Sequence, residues 1–195
     1  MSRVCVFFAE GFEEVEALTV VDLLRRAKVE TAMVSITGDL LVTGRSGITV
    51  KADVLYENAA PENADMLVLP GGMPGVKYLG ACEPLTDLLQ EFNAGGRYVS
   101  AICAAPMVFG ALGIVRGRKA TIYPGMEEEL KGADVTVSEE VVTDGHVTTS
   151  RGAGTAIPFA LRLIEILCGA DTAENVKKGI ENLFKTPSSG GPGGR

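Results

Sequence analysis

The chain has 195 residues, of which 46% are hydrophobic and 22% charged, and its formal net charge is −7. This is enough for one domain with a sizeable core, and the composition is ordinary for a globular protein. The acidic balance, with no Lys/Arg run longer than a pair, argues against nucleic acid or an anionic membrane as a partner. The N-terminal stretch turns acidic before a long apolar run develops. It therefore predicts neither a signal peptide nor a membrane span, and we expect a cytoplasmic protein.

Four cysteines and a single histidine, His146, are spread along the chain without a C-x-x-C pair. In a chain without a secretion signal this spacing predicts free thiols rather than a disulfide framework, and it forms no Cys/His cluster for zinc. No P-loop lysine and no GxGxxG motif follows a strand. We therefore expect neither a metal nor another cofactor.

The first half of the chain alternates between strand and helix patterns. The continuous apolar run at 4–8 predicts a buried strand and favours a parallel sheet covered on both faces. The stretch FEEVEALTVVDLLRRA predicts a helix with acidic residues in its first turn and basic residues in its last. Further strands are predicted at 31–36 and 65–69, with an irregular hairpin between them, and the second of these strands ends in PGGMPG.

The second half continues the alternation up to a tail of glycine, proline and serine. The predicted helices are 75–79, 84–94, AAPMVFGAL, 156–167 and about 172–184, and the predicted strands are 98–102, 120–122, 135–142 and 147–150, the last two joined by an Asp-Gly hairpin turn. This order argues for one α/β domain over residues 1–184, with helices on both faces of a mostly parallel sheet. The tail, 185–195, is expected to be disordered or a remnant of the expression vector.

Ligands of such sheets bind beyond the carboxyl ends of the strands. Three predicted loops stand at strand ends in this chain, with the sequences AEGFEE, PGGMPG and CAAP. We therefore expect these loops to converge on one site.

Cys103 is the first candidate functional residue, because it lies between a predicted strand and the helix that begins near Pro106. A side chain at such a turn is held out from the sheet beside a helix N-terminus, as in a nucleophile elbow, and this position favours the thiolate. The alternative for a free cysteine is a small buried hydrophobic residue. That alternative fits Cys5 and Cys168, and Cys82 is predicted to be structural or exposed.

Glu16 is the second candidate. Helical spacing places it on one stripe with Val20, Leu23 and Ala27, the face predicted to point at the sheet. A carboxyl group there is unusual, because glutamate is seldom buried without a partner. Desolvation would favour its neutral form, which can donate a hydrogen bond to a Cys103 thiolate or move a proton. The alternative is a partly exposed side chain whose carboxylate reaches solvent.

Adjacent glycines, Gly71 and Gly72, follow a predicted strand. They let the backbone turn and present N–H groups at close range, so they are candidates for an oxyanion site, with the N–H of Ala104 as a further donor. The alternative is a simple turn. His146 follows Asp-Gly in a predicted hairpin, which favours a solvated turn residue over a partner for Cys103.

Four motifs, EGFEEVE, LVLPGG, AICAAP and TSRGAGT, occur in this order. Together they resemble the ThiJ/PfpI superfamily, and most of all its branch of the parkinsonism-associated protein deglycase and its bacterial relatives. The resemblance implies a flavodoxin-like three-layer α/β sandwich, the class I glutamine amidotransferase-like fold, with a cysteine nucleophile elbow and a homodimeric assembly. By motif, Cys103 matches the family's nucleophile, Glu16 the carboxyl group that contacts its sulfur, and Gly72 and Ala104 the backbone donors beside it.

The resemblance implies two kinds of function. Members of this branch are described as glutathione-independent glyoxalases and as deglycases of methylglyoxal or glyoxal adducts. The expected partner is therefore a small carbonyl substrate or a glycated protein, and the expected role is protection against stress. Members are also described as redox sensors whose cysteine becomes a sulfinate, and as chaperones.

An intracellular protease is an older description in the same family. Tyr123-Pro124 stands where many members carry a His-Pro pair, so a Cys–His couple lacks its histidine at the matching place. Protease chemistry is therefore not favoured, and Tyr123 becomes a candidate for the substrate pocket.

Overall fold

The structure, a computed structural model, describes residues 2–181. Within this range the strands are β1 (Arg3–Phe8), β2 (Glu30–Ser35), β3 (Leu41–Thr43), β4 (Thr49–Lys51), β5 (Val54–Leu55), β6 (Met66–Leu69), β7 (Tyr98–Ile102), β8 (Lys119–Ala120), β9 (Asp134–Val135), β10 (Val141–Asp144) and β11 (Val147–Ser150). Seven of them form one sheet in the order β10-β11-β7-β6-β1-β2-β5. All neighbours in this sheet are parallel except β10 and β11, so the predicted mostly parallel α/β architecture is confirmed.

The helices form two groups that cover the sheet. They are α1 (Glu14–Arg26), α2 (Tyr56–Ala59), α3 (Gly75–Ala81), α4 (Glu83–Ala94), α5 (Pro106–Ala111), α6 (Ala156–Cys168) and α7 (Ala170–Glu181). Helices α1, α6 and α7 pack together, and α3 packs against α4 and α5. The inner strand β6 is buried along its whole length, as expected for a strand covered on both faces.

Local sequence accounts for where the helices near the site begin. Glu13 caps α1, because its carboxylate accepts a hydrogen bond of 2.8 Å from the N–H of Glu16. Pro106 is the first residue of α5, where its missing N–H costs no intrahelical hydrogen bond. Both helices therefore begin immediately beyond a strand and its loop.

Several predicted boundaries change in the structure. The hairpin predicted between the second and third strands is present as β3 and β4, and β5 then joins the main sheet. The run predicted as one strand over 135–142 is wrong, because β9 and β10 are separate strands in different sheets. The two predicted last helices appear as α6 and α7. The end of the last predicted helix and the tail at 185–195 lie outside the described residues.

The parallel register brings four loops to one edge of the sheet. Val6 of β1 pairs with Val68 of β6, Leu69 with Ala101 of β7, and Ile102 with Ser150 of β11. The chain therefore leaves β1, β6, β7 and β11 at the same edge, and residues 9–13, 70–74, 103–105 and 151–155 meet there. No helix within residues 2–181 combines the length and the apolar character needed to cross a bilayer.

Candidate functional site

Cys103 occupies the turn between β7 and α5 in a conformation that is rare for a residue with a side chain. Its φ angle is +65°, in the left-handed region. Two backbone hydrogen bonds hold this conformation: its N–H donates to the carbonyl of Ser150 (2.9 Å), and its own carbonyl accepts from the N–H of Tyr123 (2.8 Å). Such strain costs about 1–3 kcal/mol and persists only where its surroundings enforce it, which is typical of functional sites. The geometry is consistent with the elbow predicted from the sequence.

Glu16 lies in the first turns of α1 with its side chain completely buried. Val20 and Leu23 are buried on the same stripe, so the predicted inward face of α1 is confirmed. The N–H of Gly71 donates a hydrogen bond of 2.9 Å to Glu16 Oε2. The other oxygen, Oε1, is buried and has no hydrogen-bond partner within residues 2–181.

Gly71 lies beside both the Glu16 carboxyl group and the Cys103 thiol. A methyl group built on Gly71 would lie 2.5 Å from Glu16 Oε2, 2.6 Å from Cys103 Cβ and 3.1 Å from Cys103 Sγ. Only a residue without a side chain allows the acid and the thiol to approach each other here. The Gly71 N–H is taken by Glu16, so its predicted use as an oxyanion donor is corrected: Gly71 positions the acid instead.

Gly72 and Ala104 supply the backbone N–H groups that face the sulfur, and both lower the pKa of Cys103. Gly72 needs to be glycine, because its φ angle is +96° and a side chain would collide with the backbone at residues 11–13. The structure thus places two of the predicted donors beside the sulfur, and their use as an oxyanion site stays a prediction.

Burial dominates the ionisation of the pair. Desolvation raises the pKa of Glu16 to about 7, although the contacts with Cys103 and Gly71 and the charge of Arg45 act to lower it. Desolvation also raises the pKa of Cys103, and a Glu16 carboxylate beside it raises that pKa further, to about 12. The sequence predicted a thiol made acidic by a helix N-terminus. That prediction is wrong for a thiol beside an ionised Glu16, because burial and charge repulsion outweigh the N–H donors.

The two groups are best treated as one pair that shares a proton. A second ionisation would place two buried negative charges side by side, which is why it is delayed to high pH. The sulfur receives two N–H groups, whereas Glu16 Oε1 has no partner in the described chain. When Glu16 holds the shared proton and the thiol is ionised, these two N–H groups stabilise the thiolate. The pair can therefore pass one proton between the acid and the sulfur.

The structure brings Tyr123 to the site and leaves His146 away from it. Tyr123 is tied by its N–H to the Cys103 carbonyl. His146 precedes β11, whose far end pairs with the residue before Cys103, and its Nε2 lies 2.9 Å from Asn93 Oδ1. The single histidine of the chain is therefore at the opposite edge of the sheet from the thiol.

Two residues near the site carried no strong signal in the sequence. Glu14 is 5% exposed and its Oε1 accepts a hydrogen bond of 2.8 Å from the N–H of Ser46, so it anchors the β3–β4 turn against α1. Arg45 in that turn is close enough to lower the pKa of Glu16. Arg45 lies outside the four motifs, and Glu14 looks like an ordinary first-turn acid. Only the fold reveals where these two side chains are placed.

A metal site is not formed by the described part of the chain, where no three His, Cys, Asp or Glu side chains gather in a way that could hold an ion. The four cysteines are free thiols, and Cys5 is buried inside β1 as predicted. The groups that the described chain brings together at this site are Cys103, Glu16 and the backbone donors.

Comparison with known proteins finds the same relatives by family, by sequence and by structure. A model of the DJ-1/PfpI family matches residues 2–166. Protein dj-1beta of Drosophila melanogaster is 36% identical over 176 residues, which cover 90% of this chain and 94% of that protein. A deglycase of Pyrococcus abyssi is 31% identical over 166 residues, covering 85% and 99%. Protein DJ-1 homolog B of Arabidopsis thaliana is 36% identical over 175 residues, but the match spans only 40% of its length.

Solved structures give the same result. The crystal structure of Drosophila melanogaster DJ-1beta superposes with a TM-score of 0.89 at 35% identity, covering 93% of this chain and 98% of that one. Oxidised Toxoplasma gondii DJ-1 superposes with a TM-score of 0.87 at 33% identity, covering 95% and 100%. The likeness therefore extends over the whole sheet and both helix layers.

Proposed function

The chain belongs to the DJ-1/PfpI family, and from this premise we propose that it is a cysteine-dependent glyoxalase or deglycase. Its substrates would be 2-oxoaldehydes such as methylglyoxal and glyoxal, or their early adducts with amines and thiols. The observation that supports this most is the fully buried Glu16 carboxyl group beside the Cys103 thiol, with its pKa raised to about 7. A general acid–base works best with a pKa near the working pH.

The first step follows from the two donors beside the sulfur. Cys103 Sγ adds to the aldehyde carbon, and the new S–C bond turns the carbonyl oxygen into an oxyanion that faces the N–H groups of Gly72 and Ala104. That oxygen takes the proton shared by the pair, which leaves Glu16 as a carboxylate. With the hemiaminal adduct of an amine, Cys103 Sγ replaces the amine at the same carbon: the C–N bond breaks, the amine leaves with the proton shared by the pair, and the same hemithioacetal results.

Glu16 then serves as the base. It removes the hydrogen of the former aldehyde carbon as a proton and delivers it to the neighbouring carbonyl carbon, while a proton moves between the two oxygens. The first carbon is thereby oxidised to a thioester and the second is reduced to an alcohol, so no external oxidant is needed. Water hydrolyses the thioester, releases lactate from methylglyoxal or glycolate from glyoxal, and restores the thiol.

The test is formation of lactate or glycolate from the free aldehydes without added thiol. C103A and E16Q are each expected to lower kcat/KM at least about 100-fold, the typical loss for a general acid–base or nucleophile. C82A and E14Q are matched controls, because they remove a thiol and a buried carboxyl group that do not face the sulfur. Turnover at the wild-type rate in C103A or E16Q contradicts the proposed roles.

A second candidate function is redox sensing, in which Cys103 is oxidised to a sulfinate. It is favoured by the raised pKa of Glu16, because the protonated acid would donate a hydrogen bond to a sulfinate oxygen, and the relative from Toxoplasma gondii has been solved in an oxidised form. Mild peroxide followed by intact-mass and peptide analysis should then place two oxygens on Cys103 first. Earlier oxidation of Cys82 or Cys168 would eliminate this candidate.

We also propose a homodimer, as the family resemblance implies. Val15 on α1 and Ile157 on α6 are apolar side chains that are 53% and 49% exposed, on two helices that contact each other. A second subunit would cover them. Sedimentation equilibrium should give twice the chain mass, and a monomer at all concentrations would rule out the assembly.

A further inference from the structure

Tyr123 is tied to the reactive turn by its backbone and left free at its ring. Its N–H donates a hydrogen bond of 2.8 Å to the Cys103 carbonyl. The two residues before it, Thr121 and Ile122, are buried, whereas Tyr123 itself is 49% exposed. The ring is therefore not part of the core, although the backbone hydrogen bond fixes the position of the main chain that carries the ring.

Gly152 shows where the ring lies relative to the sulfur. A methyl group built on Gly152 would be 3.4 Å from Tyr123 Cδ2 and 4.0 Å from Cys103 Sγ. The edge of the ring and the sulfur thus border the same small space. Glycine at position 152 leaves this space open, so a group bound to the sulfur has room there.

Two other directions around the sulfur are already accounted for. Toward Gly71 the space is closed, since even a methyl group there would come within 2.6 Å of Cys103 Cβ. The N–H groups of Gly72 and Ala104 face the sulfur and would take the oxyanion. The remaining substituent of a bound carbonyl compound is therefore left with the gap between Gly152 and Tyr123.

We propose that Tyr123 is a specificity-determining residue whose ring forms the wall against which the substituent of a 2-oxoaldehyde packs. This proposal rests on the proposed function and names the part of the substrate that is recognised. An aromatic wall stabilises apolar substituents in proportion to their buried area, and aromatic substituents by ring–ring contact as well. The preference of the site therefore increases from glyoxal to methylglyoxal to phenylglyoxal.

The test compares kcat/KM for these three aldehydes in the wild type, Y123F, Y123L and Y123A. In Y123A the methylglyoxal-to-glyoxal ratio should fall about fourfold, the equivalent of one buried methyl group, and the phenylglyoxal-to-glyoxal ratio about tenfold. Y123F keeps both ratios because it keeps the ring. Y123L keeps apolar bulk and should lower only the phenylglyoxal ratio, which decides the question if Y123A does not fold.

Tyr98 offers a matched control. It is 36% exposed and begins β7, at the opposite end of the strand from Cys103, so Y98A should leave both ratios unchanged. Unchanged ratios in Y123A, with hydroxy acid still formed, overturn the role of Tyr123 and leave the proposed function standing.

If the wild type forms no hydroxy acid, the proposed function fails, and alkylation of Cys103 tests the wall directly. Its rate with N-benzyl iodoacetamide relative to iodoacetamide should fall in Y123A. An equal ratio in the two proteins refutes the wall.

Discussion

Replacing Glu16 by glutamine removes a buried group whose pKa is raised from 4.5 to about 7 by desolvation. The unfolded chain loses this proton near the ordinary value, whereas the folded protein keeps it until about pH 7. Between these values the folded state binds more protons, so rising pH favours unfolding. The stability that Glu16 contributes is therefore fully present below the pKa that it has in the unfolded chain. It is lost as the pH rises through the pKa that Glu16 has in the folded protein. At 1.36 kcal/mol per unit, the shift corresponds to about 3 kcal/mol.

E16Q is therefore expected to match the wild type in stability at acidic pH and to exceed it at alkaline pH. The gain above pH 7 is at most about 3 kcal/mol, or roughly 10 °C in melting temperature for a chain of this size. Urea unfolding followed by circular dichroism at a series of pH values measures the difference between the two proteins. The same variant loses turnover, so the acid would trade stability for function.

Glu14 provides a control with the opposite sign. Burial raises its pKa, but the hydrogen bonds from its own backbone, Ser46 and Ile48 outweigh burial, so its pKa is lowered overall. Its contribution is present above its unfolded pKa and is lost as the pH falls, so E14Q should be less stable than the wild type at neutral pH and similar at low pH. A difference between E16Q and the wild type that does not vary with pH, or that varies as for E14Q, refutes the assignment of a buried neutral acid.

Two further predictions use the same assays. Gly71→Ala places a methyl group within 2.6 Å of Cys103 Cβ, so it should cost about 2 kcal/mol of stability and about 100-fold in lactate formation. Gly154→Ala is the control: its methyl group meets no atom of residues 2–181 within 4 Å, so it should preserve both stability and lactate formation. A G71A protein that behaves like G154A contradicts the close approach of acid and thiol. Burial and the charge of Arg118 lower the pKa of His146, so its contribution is lost as the pH falls below about 6.5; H146Q should unfold with a flatter pH dependence and keep full turnover. Loss of lactate formation in H146Q would instead make the histidine part of the site.

The order of elements and the meeting of loops at one edge were predictable because both depend on local patterns. Continuous apolar runs identify strands that are buried on both faces, and a parallel sheet then sends all its strand ends to one side. Glu16 was predictable for a related reason, since a carboxyl group on an apolar helical stripe conflicts with the pattern around it. The signal was that the Glu16 carboxyl group shares one face of α1 with the apolar side chains of Val20 and Leu23.

The ionisation of Cys103 was not predictable, because it depends on distances across the fold. The sequence shows a thiol beside a helix start, and this alone indicates a lowered pKa. Burial and the Glu16 carboxylate reverse that direction, and neither is visible until α1 is placed against β7. Arg45 is a similar case, because its charge reaches Glu16 only after the β3–β4 turn folds against α1.

Three glycines show why the site itself is harder to derive than the fold. Gly71 lets the acid and the thiol approach, Gly72 turns an N–H toward the sulfur, and Gly152 leaves the gap beside the Tyr123 ring. Each glycine acts because it has no side chain, and the lack of a side chain leaves no periodicity or charge that a sequence pattern could detect. Gly154 is also a glycine, but a methyl group built there would contact no atom of residues 2–181 within 4 Å. A glycine in a motif thus indicates that space is needed, and only its neighbours in the fold show for which atoms.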